Sequence, residues 1–137
     1  MAAVDDRSKG HTMLSDVGSA LAALLALAII LMGLRYLLDP SPAAAGFGIP
    51  GARGNTVPDR AWLAVKAARD IGIGIAFSAL LIDGAHRQLG YLMLAAATVP
   101  IADGTIVLRT GGPKTTAFGV HWATAVVMLI VAAFLIA

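Results

Sequence analysis

The 137-residue sequence contains no cysteine, so disulfide bonds, thiolate catalysis and cysteine-ligated metal sites are excluded. It also contains no glutamate, and its eight acidic residues are all aspartates. Charged residues make up 13% of the chain, which is about half of the roughly 25% that is usual in soluble domains. Together with 58% hydrophobic residues and a mean hydropathy of +0.83, this shortage of charge indicates a membrane protein.

The sequence argues against nucleic acids, metal ions and dinucleotide cofactors as ligands. The net charge is only +2 and the basic residues are scattered, whereas nucleic-acid binding needs a dense basic face. The three histidines have no metal-ligand spacing, so we expect no metal site. "GFGIPG" at 46–51 formally matches a dinucleotide-binding motif, but that motif requires a preceding strand and a following helix. We therefore expect no cofactor.

Four apolar segments are long enough to cross a bilayer, which takes about 20 residues in a helix. The first is too long for the apolar region of a signal peptide, which has about 7 to 15 residues, so we expect it to remain as a helix. The sequence thus predicts an all-α, integral membrane four-helix bundle with spans at 17–38, 61–82, 89–108 and 117–137.

The connections set the predicted organisation of the chain. Residues 1–16 are expected to form a mobile polar tail, and residues 17–137 a single transmembrane domain. The 39–60 segment is rich in proline and glycine, which predicts a non-helical loop. Because consecutive spans alternate in direction, this loop and the "RTGGPKTT" connection at 109–116 lie on one membrane face, here named the loop side.

The ionisable residues within the spans all fall in the half of the bundle nearest the loop side. At 1.5 Å per residue, Arg69 and Asp70 lie about 12 to 14 Å into their helix, and Asp103 about 8 to 9 Å from the end of its own. We therefore expect pairing of Arg69 with Asp103 and of Lys66 with Asp70. One positive charge, Arg35, is left over, which would suit an anionic or strongly polarised ligand.

Helical spacing assigns these residues to faces. Lys66, Asp70 and Phe77 share one side of the second span, and the row Ala64, Ala68, Gly72 and Ala76 on the other side predicts close helix packing. Pro100 removes the backbone partner of the Ala96 carbonyl, which predicts a kink near Asp103. On the fourth span, one face carries His121, Thr124 and Met128.

Each of these features has a structural and a functional interpretation. The charged cluster is either an ion-pair network that fixes helix register or a ligand pocket, and charges within a membrane favour the functional interpretation. Arg35 is either an interfacial anchor or a ligand-binding residue. His121 is either a packing residue or, if it reaches Asp103, part of a proton relay.

Three stretches, "DPSPAAAGFGIP", "VKAARDIGIG" and "VPIAD", resemble in this order the small membrane proteins grouped as domain of unknown function 4267. The resemblance covers nearly the whole chain after the first fifteen residues. It implies a four-helix membrane protein, DoxX-like in shape and without a settled activity. It also implies that the family's recurrent polar positions are Lys66, Arg69, Asp70 and Asp103. Ala67 departs from the family pattern, which usually has glycine there.

Two functions remain open from the sequence. The first is a protein that binds a small amphipathic, lipophilic or anionic molecule, with Lys66, Arg69, Arg35, Phe77 and Thr124 as candidate ligand-binding residues. The second is a cofactor-independent isomerase, cyclase or hydrolase, in which Asp70, Asp103 or His121 acts as acid or base and Arg69 or Lys66 stabilises negative charge.

A small transporter is disfavoured, because small multidrug transporters depend on a membrane glutamate and this chain has none. We expect an integral protein of the bacterial inner membrane, with lipids as its partners. The small-residue faces of its helices also leave a homo-oligomer open.

Overall fold

The computed structural model describes the backbone of residues 2–137 and the side chains of residues 13–137. Every regular element in this part of the chain is helical. The helices are α1 (Ala2–Leu38), α2 (Pro40–Phe47), α3 (Val57–Ile82), α4 (His86–Ala96), α5 (Thr98–Arg109), α6 (Lys114–Thr116) and α7 (Ala123–Ile136), with a π-helical turn, the π segment, at Ala117–Trp122.

In the part of the chain whose side chains are described, three helical stretches are long and apolar enough to cross a membrane: Met13–Leu38, His86–Arg109 and Lys114–Ile136. They correspond to the first, third and fourth predicted spans. The second, α3, has 26 residues and a length of about 39 Å. It differs from the other three in its charge rather than its length, because Lys66, Arg69 and Asp70 lie near its middle.

The predicted non-helical loop at 39–60 is wrong in part, since it contains α2 and the first turn of α3. Pro40 occupies the first position of α2, where a missing N–H costs no hydrogen bond. Alanines follow it, and Gly48 ends the helix in a left-handed conformation at φ 95°. The start of α1 is also earlier than predicted, at Ala2 instead of residue 17.

The third and fourth spans are each interrupted. α4 ends at Ala96 and α5 begins at Thr98, so the chain changes helix just before Pro100, where a kink was predicted. In the fourth span the π segment separates α6 from α7. Such π turns occur often at functional sites, because they re-orient side chains within an otherwise regular helix.

The close packing of α3 on α1 uses a different face from the predicted one. A Cβ on Gly74 would lie 2.9 Å from the Ala26 carbonyl oxygen, and a Cβ on Gly33 would lie 3.0 Å from that of Ala67. Ala67 is fully buried at this contact. In the predicted row, Ala68 and Gly72 are exposed, and a Cβ on Gly72 would meet nothing within 4 Å. The middle of the predicted packing face therefore points outward.

The apolar core fills the half of the protein that lies away from the loop side. Its fully buried side chains include Phe77, Leu89, Met93, Met128 and Val131. α7 packs closely on α4 there, since a Cβ on Gly90 would lie 3.1 Å from the Ala132 carbonyl oxygen. At the loop-side half, the space between the helices holds polar side chains and a cavity.

Candidate functional site

Two cations of α3 and two carboxylates form one connected cluster, here named the charge quartet: Lys66, Arg69, Asp70 and Asp103. The Lys66 Nζ atom lies 2.9 Å from Asp70 Oδ2 and 3.1 Å from Asp103 Oδ2. Arg69 donates from Nε to Asp70 Oδ1 and from Nη2 to Asp103 Oδ2, each at 3.1 Å. Both predicted pairs are therefore present, together with two further pairs.

The quartet is balanced in charge and joins α3 to α5. Lys66 and Asp70 are four residues apart on one helix, a spacing that brings the two side chains together. Asp103 comes from α5 and accepts from both cations with one oxygen. The carboxylate side chains are only 10% exposed, and charges so little solvated need partners of opposite sign. Because Arg35 is exposed and outside the quartet, the expected surplus of positive charge is absent from it.

Two aromatic rings enclose the Lys66 ammonium group. Its Nζ atom lies 5.0 Å from the centre of the Tyr36 ring and 4.9 Å from that of Phe47, both within the range of cation–π attraction. Tyr36 is at the end of α1 and Phe47 at the end of α2. Neither contact was predicted, and Phe47 in particular had been assigned to a loop. The sequence offered one indication of these contacts, since an aromatic residue stands on each side of Pro40 and Pro42.

His121, in the π segment, bonds to α2 instead of reaching Asp103. Its Nε2 lies 3.0 Å from the Phe47 carbonyl oxygen, and its ring meets the Phe47 ring edge-on at 4.8 Å. A carbonyl only accepts hydrogen bonds, so Nε2 carries the proton and Nδ1 of the neutral ring is an acceptor. The condition set for an Asp103–His121 relay, a contact between these two side chains, is therefore not met in this structure.

A cavity of about 200 Å³ lies beside the quartet. Most of its wall is apolar, and its polar lining residues are Tyr36, Lys66, Asp70, Asp103, His121 and Thr124. Thr124 donates its hydroxyl to the Val120 carbonyl at 2.7 Å. Among the described side chains, the Tyr36 hydroxyl, Asp103 Oδ1 and His121 Nδ1 have no protein partner, and no fully enclosed polar atom is left unpaired. These three atoms are therefore available to a molecule in the cavity.

The other candidate residues lie outside this cavity. Phe77 is fully buried in the apolar core and does not line it, so its predicted ligand-binding role is not supported by its position. Arg35 likewise does not line it.

Both oxygens of Asp70 accept from cations, which leaves Asp103 as the carboxylate of the quartet with a free oxygen. Among the described side chains, no three histidine or aspartate residues come together as a metal site.

A second, outer cavity of about 290 Å³ lies under the chain between α2 and α3. Its lining includes Phe47, Gly54, Trp62 and Lys66. Lys66 is thus common to both cavities, and its ammonium group with the two aromatic rings stands between them.

The His121 bond to Phe47 gives a direct prediction about α2. His121→Phe keeps a ring beside Phe47 but removes the donor, and an unpaired buried carbonyl costs about 1 to 3 kcal/mol. We expect α2 to loosen, so that trypsin cleaves after the exposed Arg53 several-fold faster in detergent solution. His86→Phe is the control, because His86 bonds to Ser19 instead of α2. Equal cleavage rates in the two variants would show that the bond does not hold α2.

The fold and the site together define a small all-helical protein with membrane-length helices and a balanced cluster of four charges beside an apolar cavity. The family model described as "Domain of unknown function (DUF4267)" matches residues 26–135, and the chain belongs to this family. The matched range contains the whole quartet, His121 and the cavity wall apart from Leu25. No curated protein and no solved structure matches the chain.

Proposed function

We propose that this protein is an integral protein of the bacterial inner membrane, folded as a four-helix transmembrane bundle of α1, α3, α4–α5 and α6–α7. Insertion of α3 into a membrane is opposed by its charges, because an unpaired charge at mid-membrane costs about 2.5 to 3.5 kcal/mol. Its three quartet charges pair with one another and with Asp103, which reduces this cost. A DoxX-like shape, implied by the family resemblance, is part of the proposal.

The function we propose is the binding of a small, neutral, lipophilic molecule that carries a hydrogen-bond donor such as a hydroxyl group. The observation that carries this proposal is the cavity, which is apolar along most of its wall and has free acceptors, Asp103 Oδ1 and His121 Nδ1, at its polar part. Because the quartet is balanced, a charged ligand would leave the site with a net charge in a poorly solvated place. A neutral donor satisfies the acceptors without that cost.

The size of the cavity limits the ligand. An apolar protein cavity of about 150 Å³ is enough to bind benzene. A cavity of about 200 Å³ therefore accommodates one ring with a few further atoms, or a short branched chain. Larger amphipathic molecules would fit only if part of them remained outside.

The proposal is tested with 4-fluorophenol as the probe and the protein in lipid nanodiscs. We expect saturable binding, seen as a separate or shifted ¹⁹F NMR signal. Toluene should compete more weakly than p-cresol by about tenfold or more, because it cannot donate to a charged acceptor. Thr124→Leu, which fills part of the cavity and replaces no residue of the quartet, should abolish binding while the protein stays folded.

A control variant separates binding in the cavity from partition into lipid. Leu24→Ala changes an exposed side chain of α1 that does not line the cavity, and it should bind the probe as the wild type does. If the probe signal is the same with Thr124→Leu, Leu24→Ala and empty nanodiscs, the cavity is not a binding site.

A second candidate function is catalysis, and it is favoured by one observation. Asp103 uses one oxygen for both cations and leaves the other free beside the cavity, so it is placed to accept a proton from a bound molecule. Lys66 and Arg69 would then stabilise the negative charge that develops. Lipid-soluble cell extracts incubated with wild type or Asp103→Asn, then compared by mass spectrometry, should differ in at least one product. Identical extracts would rule against this candidate.

A further inference from the structure

The cavity has an opening at the side of the protein, between α1 and α5. Its wall includes Ala28 and Met32 of α1 and Val120 of the π segment, and all three residues are exposed. Val99 lies on the α5 side and is half-buried. These four residues are named here the lateral opening. α1 packs along α3 and α7, and no comparable contact joins α1 to α5 in the described chain.

The lateral opening is apolar and far from the helix ends. Met32 and Ala28 lie about 9 and 15 Å from the end of α1, and Val120 about 9 Å from the start of α6. If the helices span a membrane, these positions lie at the depth of the lipid chains. An apolar opening at this depth is favourable toward lipid, whereas it would expose hydrophobic side chains if it faced water.

The route from the loop side is blocked by contacts that would have to break. Tyr36 is only 5% exposed, and Phe47 is held by its carbonyl bond to His121. The Lys66 ammonium group lies between their rings and is bound to two carboxylates. A molecule passing from the outer cavity to the inner one would have to separate these groups, whereas the lateral opening requires no such change.

We infer that the cavity exchanges its ligand with the lipid phase through the lateral opening, and that its ligands are therefore molecules dissolved in the bilayer. This inference rests on the proposed binding function and adds the route and the source of the ligand. Asp70, Asp103 and His121 line the cavity and are buried, so a ligand would be held with its hydroxyl group toward them and its apolar part toward the opening.

The experiment measures exchange of 4-fluorophenol by ¹⁹F NMR in lipid nanodiscs. Ala28→Phe and Val120→Phe each place a ring at the lateral opening from opposite sides. Both should lower the association rate constant of the probe at least tenfold, whatever the new ring does to the dissociation constant, since an obstacle on the route slows entry. Ala23→Phe is the matched control, because Ala23 is exposed on the same helix but does not line the cavity, and it should change nothing.

Phe47→Ala tests the competing route, because it removes one ring between the two cavities. Exchange at the wild-type rate in Phe47→Ala supports the lateral route. Faster exchange in Phe47→Ala, with unchanged exchange in both variants of the lateral opening, would overturn it and assign the route to the loop side. Absence of saturable binding in the wild type would instead contradict the proposed function itself, so the two failures are distinguishable.

Discussion

Asp103→Asn is expected to lower the free energy of unfolding by about 3 kcal/mol or more, the usual effect of removing one partner from a buried ion pair. Asp103 Oδ2 accepts from both Lys66 and Arg69, and its loss leaves two cations facing the single carboxylate of Asp70. The substitution also removes the ion pairs that join α5 to α3. For a chain of this length the expected fall in Tm is about 10 °C, measured by the fluorescence of Trp62 and Trp122 in detergent.

A second substitution tests whether the loss of stability in Asp103→Asn comes from charge imbalance. Lys66→Met removes one cation and keeps much of the side-chain volume, so the double variant Lys66→Met with Asp103→Asn has one cation and one carboxylate again. We expect it to be more stable than the sum of the single effects by at least about 1 kcal/mol, the coupling typical of groups in one network. If the double variant lost as much free energy of unfolding as the two single variants together, the four charges would not act as a unit.

Gly74→Ala is expected to destabilise the protein by about 1 to 3 kcal/mol, the range found for overpacked interiors. The added methyl group would lie 2.5 Å from Ile30 Cγ1 and 2.9 Å from the Ala26 carbonyl oxygen. The isoleucine side chain can rotate away, but a backbone oxygen moves only with its helix. α1 and α3 must therefore separate at their contact.

Gly72→Ala is the matched control for this prediction. It makes the same chemical change two residues away on the same helix, where the new methyl group meets nothing within 4 Å. We expect its Tm to equal or slightly exceed that of the wild type, because alanine is the better helix former by about 1 kcal/mol. If Gly72→Ala lowered the Tm more than Gly74→Ala does, the assignment of the packing face would be reversed.

These glycines show what the spacing of small residues on a helix can and cannot predict. A row of small residues at every fourth position predicted a packing face at Ala64, Ala68, Gly72 and Ala76. The contact that forms instead places Gly74 and Ala67 against α1, with Ile71 filling the space beside Gly33. Spacing reveals where a close approach is possible, but which face another helix occupies depends on shapes from both helices, and a large side chain is often part of the fit.

The charged site was more predictable than the packing, for a physical reason. Lys66, Asp70 and Asp103 are costly in an apolar chain, so their number and depth restrict the arrangements in which they are compensated. The roles of Tyr36 and Phe47 were not predictable in this way. Phe47 reaches Lys66 only because α2 forms after Pro40 and lies over the N-terminal half of α3, which is a tertiary arrangement with no local signature.

The distribution of the quartet between two helices has a consequence for synthesis of the protein in a membrane. The three quartet charges on α3 sum to one positive charge, and the compensating carboxylate belongs to α5, which the ribosome makes later. In the proposed bilayer, the newly made α3 remains one partner short until α5 emerges. Stable integration of the second span is then coupled to the arrival of the third, and the two helices enter the lipid as a unit.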